Sequence, residues 1–182
     1  MGGTLVLGAL VVGCGQSVAG APTESADTGS GPANSALASF DPCTVLSDAE
    51  IAGLGFMPET RRTIDMLGQV GCGYTAPPFD ASGEIALLGG LRLEKDPVET
   101  VADYAARSEG IFDSFRPNRV NGRTGAALEV VADGIECTQL VNAGTGTVAV
   151  GWRFRDPAPV DPCAEALRVA VMIEPELPAV GS

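Results

Sequence analysis

Five cysteines stand in this chain of 182 residues, and their placement constrains the fold more than any other feature. Cys14 ends an apolar run from Leu5 to Gly13, whereas Cys43, Cys72, Cys137 and Cys163 are spread through the body. With Cys14 set aside an even number remains, and in an exported chain an even set reads as two disulfides. Four cysteines allow three pairings. Sequence neighbours close the shorter loops inside one supersecondary unit, which favours Cys43–Cys72 with Cys137–Cys163. On the chain-entropy account each such bridge adds at most about 3.5 kcal/mol. Zinc is the competing use of four cysteines, but the chain has no His and no CxxC pair.

The run before Cys14 is too short to span a bilayer, which takes roughly 20 residues. It fits the apolar core of a secretory signal, with small residues before the cleavage point. Val11-Val12-Gly13-Cys14 looks like a lipobox, in which the cysteine takes a diacylglyceryl thioether and becomes the first residue of the mature chain. Two or more acyl chains, at about 0.8 kcal/mol per buried CH₂, give lasting attachment where one does not. No Lys or Arg precedes Cys14, although such leaders normally open with positive charge. A start inside the true leader accounts for this; the alternative is an uncleaved tail with a spare thiol.

The expected organisation is a signal peptide over 1–13, lipidated Cys14 with a flexible linker over 14–39, and one globular domain over 40–182. The linker is rich in Gly, Ala, Ser, Thr and Pro without hydrophobic periodicity, so it buries too little to offset its ordering entropy. As a flexible tether it reaches about 25–30 Å. The expected location is the extracytoplasmic face of the cell membrane, with the lipid as anchor.

Asp and Glu number 23 against 11 Lys and Arg, for a formal charge of −12. That balance argues against nucleic acid, since phosphate binding needs concentrated cations. The absence of His removes Ser–His–Asp and Cys–His catalysis and most metal sites. No catalytic residue, metal or cofactor is expected. A carboxylate pair of the glycosidase kind is the one catalytic device left open, although Asp48, Glu50, Glu99 and Asp103 all read as helix caps or helix surface.

Asp-Pro-Cys occurs twice, at 41–43 and 161–163, and both copies read as helix starts with a cysteine in the first turn. Ser47 to Glu50 forms a capping box ahead of Ile51, with Gly53 and Gly55 as the stop. Strands are predicted over 70–74 and 85–94. A helix capped by Asp96-Pro97-Val98-Glu99 should present Val98, Val101, Ala102 and Ala105 on one face. After a loop rich in Arg and Asn come strands over 126–131, 135–142 and 147–155, the last two joined through Ala143-Gly144-Thr145-Gly146. Strict alternation in the last strand predicts one buried face (Val148, Val150, Trp152, Phe154) and one wetter face. A final helix over 162–173 should turn Cys163, Ala166, Leu167, Ala170 and Val171 inward, with Pro175 as its stop. Trp152 and Tyr104 read as core. This order is α+β: an antiparallel sheet with helices mainly on one face, in a single domain with two disulfides.

The segment Phe40 to Ile51, the Cys72-Gly73-Tyr74 step, Cys137 and the close from Asp161 to Pro178 together resemble the lipoproteins grouped as domain of unknown function 3558. Members of that family are exported actinobacterial proteins, many from mycobacteria and their relatives. The resemblance implies a lipid-anchored envelope protein with disulfides and implies no established activity. More distantly the chain is similar to disulfide-bonded sensor domains outside mycobacterial receptor kinases, a likeness of fold alone.

One basic cluster stands out, Phe115 to Arg123, with Arg116, Arg119 and Arg123 as candidate grips for an anionic head group or sugar phosphate. The plainer reading is a solvated loop. The expected function is a non-catalytic module that binds or senses an envelope lipid, glycan or protein in a groove between sheet and helices. The alternatives are a cell-wall hydrolase with paired carboxylates and a structural accessory of envelope assembly or secretion.

Overall fold

The structure, a computed structural model, describes residues 32–66, 68–77, 89–131, 135–154 and 160–180. Cys14 and the leader lie outside the described residues. So do 85–88 at the start of the second predicted strand and residue 155 at the end of the last.

The elements run α1 (Pro32–Ser39), α2 (Asp48–Gly53), β1 (Met57–Met66), β2 (Gln69–Thr75), β3 (Gly90–Asp96), α3 (Val101–Ala106), β4 (Ser114–Val120), β5 (Arg123–Val131), β6 (Ile135–Ala143), β7 (Gly146–Phe154) and α4 (Pro162–Ile173), which passes into a short 3₁₀ turn over Glu174–Glu176. The strands form one seven-stranded sheet in the order β1-β2-β3-β7-β6-β5-β4. Every neighbouring pair is antiparallel.

β7 is the central strand and is buried on both sides. Val148, Val150, Trp152 and Phe154 point to what we term the inner face; Thr147, Ala149, Gly151 and Arg153 point to the outer face. Of the latter four only Arg153 is exposed, because α3 packs over Ala149 and the Arg92 side chain lies over Gly151. The expected wetter face is therefore corrected for all but the strand's end. The β6–β7 turn is Gly144-Thr145, with Gly144 at φ 58° in the first loop position, as a II′ turn requires.

The inner face carries the larger core. Leu91, Leu93, Val150 and Trp152 pack with Leu37 of α1, Ile51 of α2 and Ala166, Val169, Ala170 and Ile173 of α4. Trp152 meets Phe56 edge-on, ring centroids 4.8 Å apart. α4 begins where Asp161 accepts a hydrogen bond from the Cys163 amide with Pro162 in the first turn. Its inward stripe is rotated from the predicted one: Val169 and Ile173 are buried, whereas Val171 is exposed.

The outer face has a smaller cluster of its own. Val101 and Tyr104 of α3 pack with Ala126, Leu128, Leu140 and Ala149. Helices therefore meet both faces of the sheet, with α1, α2 and α4 against the inner core and α3 against the outer cluster. The start of α3 is also corrected. Thr100 is the cap, in a reciprocal box with Asp103, while Asp96 accepts from the Val98 and Glu99 amides in a turn before it. Val98 lies in that turn and is 78% exposed.

Both disulfides pair as expected, Cys43 with Cys72 and Cys137 with Cys163. Each ties a segment over the inner face to a strand, since Cys72 pairs with Leu93 and Cys137 with Trp152. The first Asp-Pro-Cys repeats the cap bond, Asp41 Oδ1 to the Cys43 amide at 2.8 Å, but makes one turn instead of a helix. The ordered body begins before Phe40: α1 occupies the last eight residues of the expected linker, and Leu37 is fully buried. Lys95 fixes that end, its ammonium donating to the carbonyls of Leu37, Ala38 and Phe40 at 3.2, 2.7 and 2.6 Å.

Candidate functional site

The segment expected to be an arginine-bearing loop is an edge strand. β4 pairs with β5 through a two-residue turn in which Asn121 and Gly122 both have positive φ, 47° and 93°, the I′ arrangement. Period-two alternation then separates the three arginines. Arg116 and Arg123 share the inner face with Val120, and Arg119 points to the outer face.

The two inner arginines bracket α4. Arg116 Nη1 lies 3.0 Å from Glu129 and its Nη2 lies 3.2 Å from Cys163 Sγ, at the helix start. Arg123 pairs with Glu174 at the helix end and donates to the Leu177 and Pro178 carbonyls. A helix of 12 residues is about 18 Å long, so the two guanidinium groups work at opposite ends of it. A hydrogen bond from Ser114, reinforced by Arg116, holds the Glu129 carboxyl below the usual carboxylate range. Arg123 first, then Asn121, does the same for Glu174. Arg116 and Arg123 are thus clamps on α4, and the expected three-arginine grip does not converge on one point.

Arg119 stands apart. Its Nη1 donates to the Gly122 carbonyl at 2.7 Å, and no acid lies within ion-pair distance among the described residues. It borders a cleft of about 490 Å³ between α3 and the β4–β5 edge. Val101, Ala102 and Ala105 supply one wall, and Phe115 and Pro117 supply the floor. The cleft exists because Ala102 and Ala105 are too small to close the gap beside Phe115. Its lining is chiefly apolar, and it is a shallow groove open to solvent. Sequence reasoning singled out Arg119 but missed the cleft, because the strand nature of β4 was not seen. Asn121-Gly122 was the signal that marked it.

Away from α3, the outer face carries charge. Arg92 lies 3.7 Å from Glu94 and also pairs with Glu136. Glu94 is 6% exposed, and burial raises its carboxyl above the usual range, a shift that Arg92 opposes and Glu136 reinforces. At the other margin of α3 the Tyr104 hydroxyl accepts from Gln69 at 2.8 Å and donates to Asp96 at 3.4 Å. Burial, then Asp96 and Glu99, push the Tyr104 phenol up to about 12. Tyr104 and Trp152 are both core residues, as expected.

Comparison with curated proteins and with solved structures finds no match. Over residues 9–176, a span that takes in all five cysteines, the sequence matches the family described as protein of unknown function DUF3558, and the chain belongs to that family.

Proposed function

We propose that this protein is a lipid-anchored module on the extracytoplasmic side of a cell membrane that binds a ligand without transforming it. The leader supports the anchor: an apolar run, then Val11-Val12-Gly13-Cys14. Two disulfides suit an oxidising compartment. The observation that carries the binding reading is the apolar cleft under α3 with Arg119 at its border. Its matching occupant is a single acyl-like chain with an acidic end, the chain on Phe115 and Pro117 and the acid at the arginine fork.

The test is titration with a dansylated undecanoic acid followed by fluorescence. Saturable binding is expected, abolished by Ala105→Trp, which fills the cleft from an exposed position. Arg119→Ala should weaken it about tenfold, the worth of one charge-assisted hydrogen bond. Binding that survives Ala105→Trp undiminished would place the ligand elsewhere. For the anchor, labelled palmitate should enter the native protein in its host and fail to enter Cys14→Ala.

One observation favours the hydrolase reading: burial raises the carboxyl of Glu94, which shares Arg92 with Glu136, and unlike environments can separate the roles of two carboxyls. Against it, Glu94 is nearly closed to solvent and Arg92 ties up Glu136, which leaves little access for a glycosidic oxygen. Release of reducing ends from cell-wall glycan, lost in Glu94→Gln, is the result that would favour it.

A further inference from the structure

We infer that the open half of the outer face, around Arg62, Arg92 and Arg153, is a second binding site, for an extended polyanion laid across the strands. Strand pairing puts Arg62, Gly73, Arg92 and Gly151 in one row from β1 to β7. Each glycine makes room for the arginine beside it. A Cβ at Gly73 would stand 3.0 Å from Arg62 Nε, and one at Gly151 would stand 3.1 Å from Arg92 Nε. The guanidinium groups therefore lie along the sheet instead of standing off it, and Arg92 crosses β7 over Gly151 to reach Glu136 on β6. Arg153 lies on the same face, opposite Gly90 and Glu136 in the strand register but without an ion pair to Glu136.

The charge pattern distinguishes this strip from an ordinary solvated surface. Arg61, Arg92, Arg107, Arg116, Arg123 and Arg168 all have acid partners. Arg62 and Arg153 are exposed and have neither an acid partner nor a hydrogen bond among the described residues. In a chain with twice as many acids as bases (23 against 11), two such arginines on one glycine floor are a local exception. Burial of Glu94 also makes it the acid of this strip most readily neutralised. The net charge of −12 opposes any anion from afar, but salt screens that field beyond about 8 Å.

Size of ligand follows from strand spacing. β1 and β7 are three strand steps apart, about 14 Å. Arg92 lies between Arg62 and Arg153, so a chain with repeating acid groups can engage all three, whereas a single phosphate or carboxylate leaves part of the strip unused. Planar forks suit carboxylate and phosphodiester oxygens alike.

The experiment titrates the full chain with polygalacturonate, a carboxylate repeat, and separately with linear polyphosphate, a phosphate repeat, at two salt concentrations. Binding of at least one polymer is expected, weakened by salt and at least tenfold weaker in Arg62→Ala/Arg153→Ala. Arg168→Ala, on α4 across the sheet, should leave it unchanged, as should Ala105→Trp, which separates this site from the α3 cleft. The polymer that binds identifies the repeat. No binding of either polymer, binding untouched by the double variant in folded protein, or inorganic phosphate binding as tightly as its polymer would each overturn the inference.

Discussion

The inner and outer faces of the sheet are built from the same seven strands yet are covered in different ways. Over the inner face lie α1, α2 and α4, tied down by both disulfides, by Lys95 on the end of α1 and by Arg116 and Arg123 at the ends of α4. Over the outer face, among the described residues, lies one helix of six residues, α3, held by its Thr100–Asp103 box, by Asn142 accepting from the Val101 amide at 2.9 Å, and by two buried side chains. No covalent tie reaches it. The contrast teaches that stability and exposure are divided between faces. Crosslinks and clamps serve the side that forms the core, and both candidate binding regions occur on the side without them.

Removing a crosslink tests that division most severely. Replacing Cys137 and Cys163 together by Ala reopens a loop of 26-residue separation and should cost about 3.5 kcal/mol in denaturant unfolding. The α3 cleft should still bind its probe in the fraction that remains folded. Loss of probe binding while tryptophan fluorescence still reports an intact inner core would show that this crosslink serves the outer face as well.

Lys95→Met gives the next largest effect. It keeps the stem but takes the cation from three carbonyls at the end of α1, which should cost about 2 kcal/mol. The loss should be local, with faster amide exchange at Phe40, whose N–H bonds back to Ala36 and Leu37. Unchanged exchange there would mean that burial of Leu37 alone holds α1.

What the sequence disclosed divides along the same line. The disulfides, the β6–β7 hairpin, the Ser47–Glu50 box and the span of α4 were legible, because each rests on short-range chemistry or on strong alternation. β1 and β4 were not. They are the two edge strands, and an edge strand need not alternate: β1 is polar along most of its length and contains Pro58, and β4 contains Pro117 and two arginines. Proline is tolerated there because one side of the strand lacks a partner. The cap of α3 was placed four residues early because Asp96-Pro97 imitates a helix start, while Thr100 and Asp103 satisfy the amides. Tethering of residues 36–40 was hidden because its anchor, Lys95, is 55 to 58 residues distant. The open strip of arginines needs the register of four strands, which no local pattern contains.

Thr100→Ala should give a smaller effect, confined to the outer face. Loss of an N-cap costs about 1 kcal/mol. Here it falls on a short helix with no crosslink, so it should raise amide exchange through 101–106 while the midpoint of global unfolding moves little. An equal fall in global stability would make α3 as integral to the core as α4.

Glu94→Gln is the gentlest test, and its sign separates the faces. Burial is the largest influence on Glu94 and raises its carboxyl in the folded protein, with Arg92 opposing. A raised folded pKa means that the native state holds this proton over an interval where the unfolded chain has released it. Stability then falls as pH rises from the ordinary glutamate range through the folded value. The substituted amide carries no charge to desolvate, so the variant should match the native protein in acid and melt slightly higher at neutral pH. Thermal melts across that interval read the difference directly. If the variant instead melts lower at neutral pH, the attraction of Arg92 outweighs burial. The outer face would then hold a bonded charge pair as firmly as the inner face holds its hydrocarbon, and the division between them would narrow to the crosslinks alone.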